Sequence, residues 1–343
     1  MEEIKLTQFS KGGGCGCKIA PSVLQQIIGG KSNEIFQKLL VGNESSDDAA
    51  VFEIDEENAI ISTADFFLPI VDDAFDFGRI AAANAISDVY AMGGKPLMAI
   101  AILGWPIEKL PVEAAQKVLE GARAVCKDAG IPLAGGHTID SSDPIFGLSV
   151  TGSVAIKNVK KNNTAQVGDL LFLTKAIGVG VLATALKRGL LLDEHYQPLL
   201  QQMTALNKIG EQLSTLPAVH AMTDVTGFGL LGHLIEMAEG SGMSAELYYN
   251  QIKKVDGLGD YLKQGIRPDA TTRNWNSYSS KVQFEKGVNV MEGFNLLPDP
   301  QTNGGILFSL AATDKQEVFA LLGNFGLANF SHPIGKITAK QEK

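Results

Sequence analysis

Two neighbouring segments restrict the fold more than anything else in this sequence. Leu97–Leu103 (LMAIAIL) is an unbroken apolar run closed by Gly104-Trp105-Pro106. A run this short between turn residues reads as a buried strand. Val112–Ala129 follows, with Ala115, Val118, Leu119, Ala122, Val125, Cys126 and Ala129 on one stripe of period 3.6 and Gly130 as its stop. A buried strand beside a helix with a single apolar stripe requires a sheet covered by helices. The same pairing recurs along the chain. Ala59–Thr63 is β-rich and runs on to Asp65, Phe77–Met92 is helical and stops at Gly93-Gly94 with Pro96 beyond, and Phe146–Ala155 is strand-like. In the second half Leu170–Thr174 and Ala245–Tyr249 read as strands, and Gly178–Leu186, Glu211–Leu216 and Gly227–Glu239 as helices. Residues 250–286 are polar and irregular, and an insertion or long surface loop is expected there. The expected class is α/β (α+β) with two mixed-sheet domains, because strands and helices interleave without strict βαβ regularity. A length of 343 residues fits about two domains. The polar stretch Lys157–Gln166 marks the boundary, giving a Gly/Cys-rich loop over 1–20, an N-terminal domain over 21–156 and a C-terminal α/β domain over 157–343.

Charge and cysteine content exclude several classes. With 29 Lys+Arg against 38 Asp+Glu the net charge is −9, and there is no basic run, so neither nucleic acid nor an anionic membrane is expected as a partner. The longest apolar run is far below the ~20 residues of a membrane span. The opening MEEIKLTQFS lacks the charged-then-apolar order of a signal peptide, so a cytoplasmic protein with reduced thiols is expected. Three cysteines make no disulfide framework, and five scattered histidines give no structural zinc site. Glycine, at 37 residues or about 11% against a usual ~7%, is in excess, and the excess belongs to loops that need positive φ or close backbone approach.

One such loop is Lys11-Gly12-Gly13-Gly14-Cys15-Gly16-Cys17-Lys18, which cannot be a stable helix or strand. It is either a disordered tail or a mobile loop offering two thiols and an ammonium group, where a lysine three residues away favours the Cys15 thiolate. The P-loop pattern fails, because Cys17-Lys18-Ile19 stands where Gly-Lys-Ser/Thr is needed. Cys126 lies on its helix's apolar stripe and reads as core. Aspartates recur after apolar segments, in Ser45-Ser46-Asp47-Asp48, Thr63-Ala64-Asp65, Ile86-Ser87-Asp88 and Met222-Thr223-Asp224. Each alone is an ordinary cap or turn residue. Converging carboxylates ~4 Å apart would repel by about 4 kcal/mol at an effective dielectric of 20, so a cation belongs between them. Mg2+ shared with a polyphosphate meets that need. Gly227-Phe228-Gly229-Leu230-Leu231-Gly232 matches G-x-G-x-x-G, but Glu246 sits inside the next strand rather than at its end, which argues against a dinucleotide site. Ala134-Gly135-Gly136-His137-Thr138 could bring backbone amides to a phosphate or ribose and by itself decides nothing.

Taken together, these segments resemble the selenophosphate synthetase (selenide, water dikinase) family over essentially the whole chain. The resemblance rests on Leu6–Ser10 with Gly14–Lys18, Leu40–Glu44 with Asp47–Ala50, Thr63–Phe67, Phe75–Ile80, Asn84–Asp88, Met92–Pro96, Ala134–His137, Thr223–Gly229 and Asp299–Thr302. Gly-Cys-Gly-Cys-Lys separates this family from its fold relatives. The resemblance implies the aminoimidazole ribonucleotide synthetase fold, with a homodimer whose N-terminal sheets join into a barrel-like core. It implies ATP held through several Mg2+ ions, a K+ requirement, and conversion of ATP, selenide and water to selenophosphate, phosphate and AMP. Selenium-delivery proteins are further expected partners. Carried over by position, Cys15 and Lys18 are catalytic. Asp48, Asp88 and Asp224 are metal ligands. Lys18, Ser45, Ser46, Asp47, Asp65, Asp88, Gly136, His137 and Thr138 contact ATP. Asn303 departs from the family pattern, standing where serine is common, outside the assigned sites. Two alternatives stay open, a small-molecule kinase of the same fold, such as a thiamine monophosphate kinase, and a non-catalytic selenium or metal carrier.

Overall fold

The computed structural model describes residues 4–10, 12–19, 21–28, 36–42 and 47–341. Two sheets organise it. The first has the order β1-β2-β3-β6-β4-β5, formed by β1 (Leu39–Val41), β2 (Ala50–Glu53), β3 (Asn58–Phe67), β4 (Lys95–Trp105), β5 (Leu133–Asp140) and β6 (Ile145–Ala155). All its pairs are antiparallel except β4 with β5. The second has the order β8-β10-β7-β11-β9, from β7 (Leu170–Leu173), β8 (Val219–Asp224), β9 (Ser244–Leu247), β10 (Ile306–Leu310) and β11 (Gly335–Thr338). The helices in chain order are α1 (Pro21–Ile28), α2 (Ala74–Ala91), α3 (Val112–Ala129), α4 (Val179–Lys187), α5 (Asp193–Thr204), α6 (Ile209–Leu213), α7 (Gly229–Gly240), α8 (Leu258–Lys263), α9 (Asp269–Tyr278), α10 (Val290–Leu296) and α11 (Lys315–Asn324).

Helix α2 is central. It is buried on nearly every side, as expected for a helix apolar all round, and it packs on β3 and β6 of the first sheet, on β8 of the second and on α3 and α5. Its approach to α3 is set by two glycines. A Cβ at Gly78 would fall on the Val118 carbonyl oxygen, and one at Gly121 on that of Phe75. Asp73 caps α2, its side chain accepting the Asp76 N–H at 2.8 Å.

The first sheet covers only one face with helices. On the other face lie Phe52 of β2, Phe66 of β3 and Met98 and Ile100 of β4, each 45–50% exposed, with β6 between β3 and β4. Strand β5 at the edge is exposed from Ala134 to Asp140. Residues 250–286, expected as irregular surface, instead hold α8 and α9. Trp275, Tyr278 and Ala270 anchor α9, and these few apolar residues among many polar ones had hidden the helix from a pattern reading.

Gly121→Leu should force α2 and α3 apart and cost about 3 kcal/mol, as overpacking does. Urea denaturation of the variant beside the parent measures it.

Candidate active site

The site grows from a match between two periodicities. On β3, Thr63 and Asp65 share a face because they are two residues apart, about 6.6 Å along a strand. On α2, Asn84 and Asp88 share a face four residues apart, about 6 Å along a helix. Laid against each other the two pairs coincide: Thr63 Oγ1 donates to Asp88 Oδ2 at 2.6 Å, and Asn84 Nδ2 donates to Asp65 Oδ2 at 2.7 Å. Ser87, on the same face of α2, receives Asn207 Nδ2 at 2.8 Å.

Other segments close the site. Asp224 ends β8, and its neighbour Thr223 donates to Asp48 Oδ1 at 2.8 Å. The carboxylate oxygens of Asp48, Asp88 and Asp224 thereby come within 4.8 Å of one another. Asp48 Oδ2 and Asp224 Oδ2 are buried with no hydrogen-bond partner among the described residues. Burial first, and mutual repulsion second for Asp48 and Asp88, pushes those two carboxyls well above the ordinary range, and burial raises Asp224 as well. Hard oxygen donors converging with unsatisfied lone pairs fit a divalent cation.

The loop Gly14–Cys17 is a short 3-10 turn seated against this cluster. Cys15 is 1% exposed. Its N–H donates to Thr302 Oγ1 at 3.0 Å, and its thiol donates to Asn84 Oδ1 at 3.2 Å. Lys18 Nζ pairs with Asp65 Oδ2 at 3.4 Å. Cys15, Asn84, Asp65 and Lys18 thus form one hydrogen-bonded chain. Burial, then the Asp65 charge, raises the Cys15 thiol well above its ordinary value, with Lys18 opposing. Lys18 thus favours the thiolate as expected, but burial outweighs it in this arrangement. Burial works against the Lys18 ammonium, but Asp65, Cys15, Asp88 and Asp224 outweigh it and raise its pKa.

Glycines supply the fit. Gly14 has φ +53°, and a Cβ there would strike Thr302 Oγ1 and Ile70. At Gly227 a Cβ would stand 2.8 Å from the Cys15 carbonyl oxygen and 3.0 Å from Lys18 Cδ. The G-x-G-x-x-G stretch is therefore used to seat the thiol loop. Asp299 and Gln301 cap the start of α4, accepting from Gly180 N at 3.0 Å and from Gly178 N and Val179 N at 3.2 Å. That cap fixes Thr302. Asn303, placed outside the site by sequence reasoning, donates its N–H to Asn84 Oδ1 at 2.7 Å from a left-handed φ of +50°, which asparagine tolerates. Beneath it Lys175 donates to the Asn303 carbonyl oxygen at 2.8 Å, and burial pushes its ammonium down to about 7.

The structure thus brings together Cys15, Lys18, Asp48, Asp65, Asp88 and Asp224. Asp47, beside Asp48, accepts the Asn162 N–H at 2.7 Å. Ser45 and Ser46 lie outside the described residues. Gly136, His137 and Thr138 are exposed on β5, three strands from β3, or roughly 14 Å at ~4.8 Å per strand. Sequence reasoning missed Asn84, Thr63, Thr223, Thr302 and Asn303 as site residues. The signal for Asn84 was its spacing of four from Asp88.

Residues 46–154 match the N-terminal domain, and residues 166–343 the C-terminal domain, of the AIR synthase related protein family. The selenide, water dikinase of Colwellia psychrerythraea is 53% identical over 342 residues, covering 99% of this chain and 97% of the relative. That of Aeromonas hydrophila is 52% identical over 341 residues, covering 99% and 97%. The chain belongs to the selenide, water dikinase family. Two solved structures share the fold of this family member at lower identity. A thiamine-monophosphate kinase from Stenotrophomonas maltophilia has a TM-score of 0.63 at 20% identity, covering 95% of each chain. A hydrogenase maturation protein HypE in complex with ATP has a TM-score of 0.65 at 17% identity, covering 97% of this chain and 89% of its own.

The carboxylate cluster sets a pH dependence. Its native carboxyls hold protons more tightly than the unfolded chain does, so stability falls as pH rises above the ordinary 3.8 through the raised native values. Without divalent cations, stability in thermal melts should fall as pH rises above about 4, by up to about 1.4 kcal/mol per unit for each such proton. Asp48→Asn should flatten the slope.

Proposed function

We propose that the protein synthesises selenophosphate from ATP, selenide and water, releasing phosphate and AMP. The observation that carries this reading is the Cys15–Lys18 loop, held through Asn84 and Asp65 against a buried three-carboxylate cluster. Phosphoryl transfer is mostly positioning and charge neutralisation. Asp48, Asp88 and Asp224 would hold Mg2+, which when bound supplies the positive charge that a polyphosphate needs in this acidic pocket. Lys18 brings a firmly protonated ammonium to the same place. Asn84 fixes the Cys15 sulfur by accepting a hydrogen bond from its thiol, while its own amide is oriented by Asp65 and by the Asn303 N–H. Cys15 holds or guides selenium at the phosphates, and its burial keeps water and oxidants from it. A thiamine monophosphate kinase-like reading leaves the thiol loop without use. A carrier reading leaves the carboxylates without use.

Homodimerisation is part of the proposal. The open sheet face supports it, since Phe52, Phe66, Met98 and Ile100 leave large apolar side chains exposed on it. A second copy would also offer its own Gly136-His137-Thr138 to the nucleotide, since β5 of the same chain lies three strands from β3.

Anaerobic ³¹P NMR with Mg·ATP and selenide should show selenophosphate and AMP; ADP alone, or no turnover, would overturn the reading. Cys15→Ser should lower selenophosphate formation at least about 100-fold, in the range of lost covalent or acid–base assistance. Ile100→Glu should convert a dimer to a monomer by light scattering, and a monomeric parent would refute the dimer.

A further inference from the structure

The thiol loop has a second side. Gly12, Gly13, Gly16 and Cys17 form one wall of a cavity of about 620 Å³ that Thr302 and Pro300 also line. The remaining wall carries four cations, Lys187, Arg188, Arg267 and Arg273, against one carboxylate, Asp269. Among the described residues no carboxylate makes an ion pair with any of the four. Asp72, the other acid near Lys187, is engaged by Thr7. Lys187 donates to the Ser10 carbonyl oxygen at 2.7 Å, and Arg273 donates to that of Gly16 at 3.0 Å, so two cations brace the loop. Arg267 is held by Asn295 at 2.9 Å and lies over the Phe294 ring. The Arg188 side chain is exposed and makes no ion pair among the described residues.

The loop therefore stands between an acidic chamber, containing Asp48, Asp65, Asp88 and Asp224, and a basic one. We infer that the basic cavity receives the selenium substrate as its anion, hydrogen selenide, before it reaches Cys15. This rests on the function proposed above and adds to it the route and recognition of the selenium substrate. At neutral pH H2Se has lost one proton to solvent, so the substrate is the monoanion HSe−. A cavity lined by cations that make no ion pair among the described residues concentrates such an anion. Thr302 lines this cavity and also accepts the Cys15 N–H, so the cavity reaches the backbone of the catalytic thiol. Cys17 faces the cavity as a second thiol on the route.

The test uses Arg188→Gln/Arg267→Gln, which removes two charges that touch no loop residue. At low ionic strength the KM for selenide should rise about tenfold, within the range of electrostatic focusing, with the KM for ATP unchanged. The Lys/Lys double variant should restore it, and salt should raise the parent's KM towards that of the Gln variant. A second readout needs no turnover. The rate of Cys17 alkylation by iodoacetate, relative to neutral iodoacetamide, should fall about tenfold in the Gln variant. A parent enzyme that makes selenophosphate, with an unchanged selenide KM in the variant, overturns this inference alone. An unchanged alkylation ratio overturns it too. A parent that makes no selenophosphate overturns the proposed function and this inference together.

Discussion

Mutual repulsion among buried carboxylates governs this structure. Asp224 is 1% exposed, Asp88 and Asp65 are 8% exposed each, and Asp48 is half-buried beside them. Charges in such a place are tolerated only with compensation. Thr63 and Thr223 donate single hydrogen bonds, and Lys18 supplies the ammonium that pairs with Asp65. The thiol loop is in this sense an electrostatic partner of the cluster. Its position follows from the charge it must neutralise as much as from its packing.

The fold was largely legible in the sequence because its elements announce themselves locally. The stripe on Val112–Ala129 and the run at Leu97–Leu103 became α3 and part of β4. Strand β5 was not legible, since Leu133–Asp140 carries two glycines and no alternation. It is exposed along most of its length, so burial imposes no pattern on it. The helices of 250–286 were hidden for a related reason, being anchored by isolated aromatic residues among polar ones.

In the site, the residues with obvious chemistry were readable, namely the aspartates, Cys15 and Lys18. What could not be read was the layer that orients them. Asn84, Thr302 and Asn303 act through hydrogen bonds between segments more than two hundred residues apart, and no local pattern encodes such a contact. The glycine fingerprint at 227–232 gave no local sign of what it seats. Its use became visible only when Gly227 was found beneath Cys15 and Lys18.

The pairing of β3 with α2 places Thr63, Asp65, Asn84 and Asp88 within a single structural unit, while Asp224, Gly227, Thr302 and Asn303 arrive on the second sheet and its loops. Each unit alone presents half of a binding site and an uncompensated set of charges. A cation joining Asp48 and Asp88 to Asp224 would act as a rivet between the two halves of the chain. Misdocked halves would then forfeit both the ion and the seat of the thiol loop, so the chemistry itself would inspect the assembly of the fold.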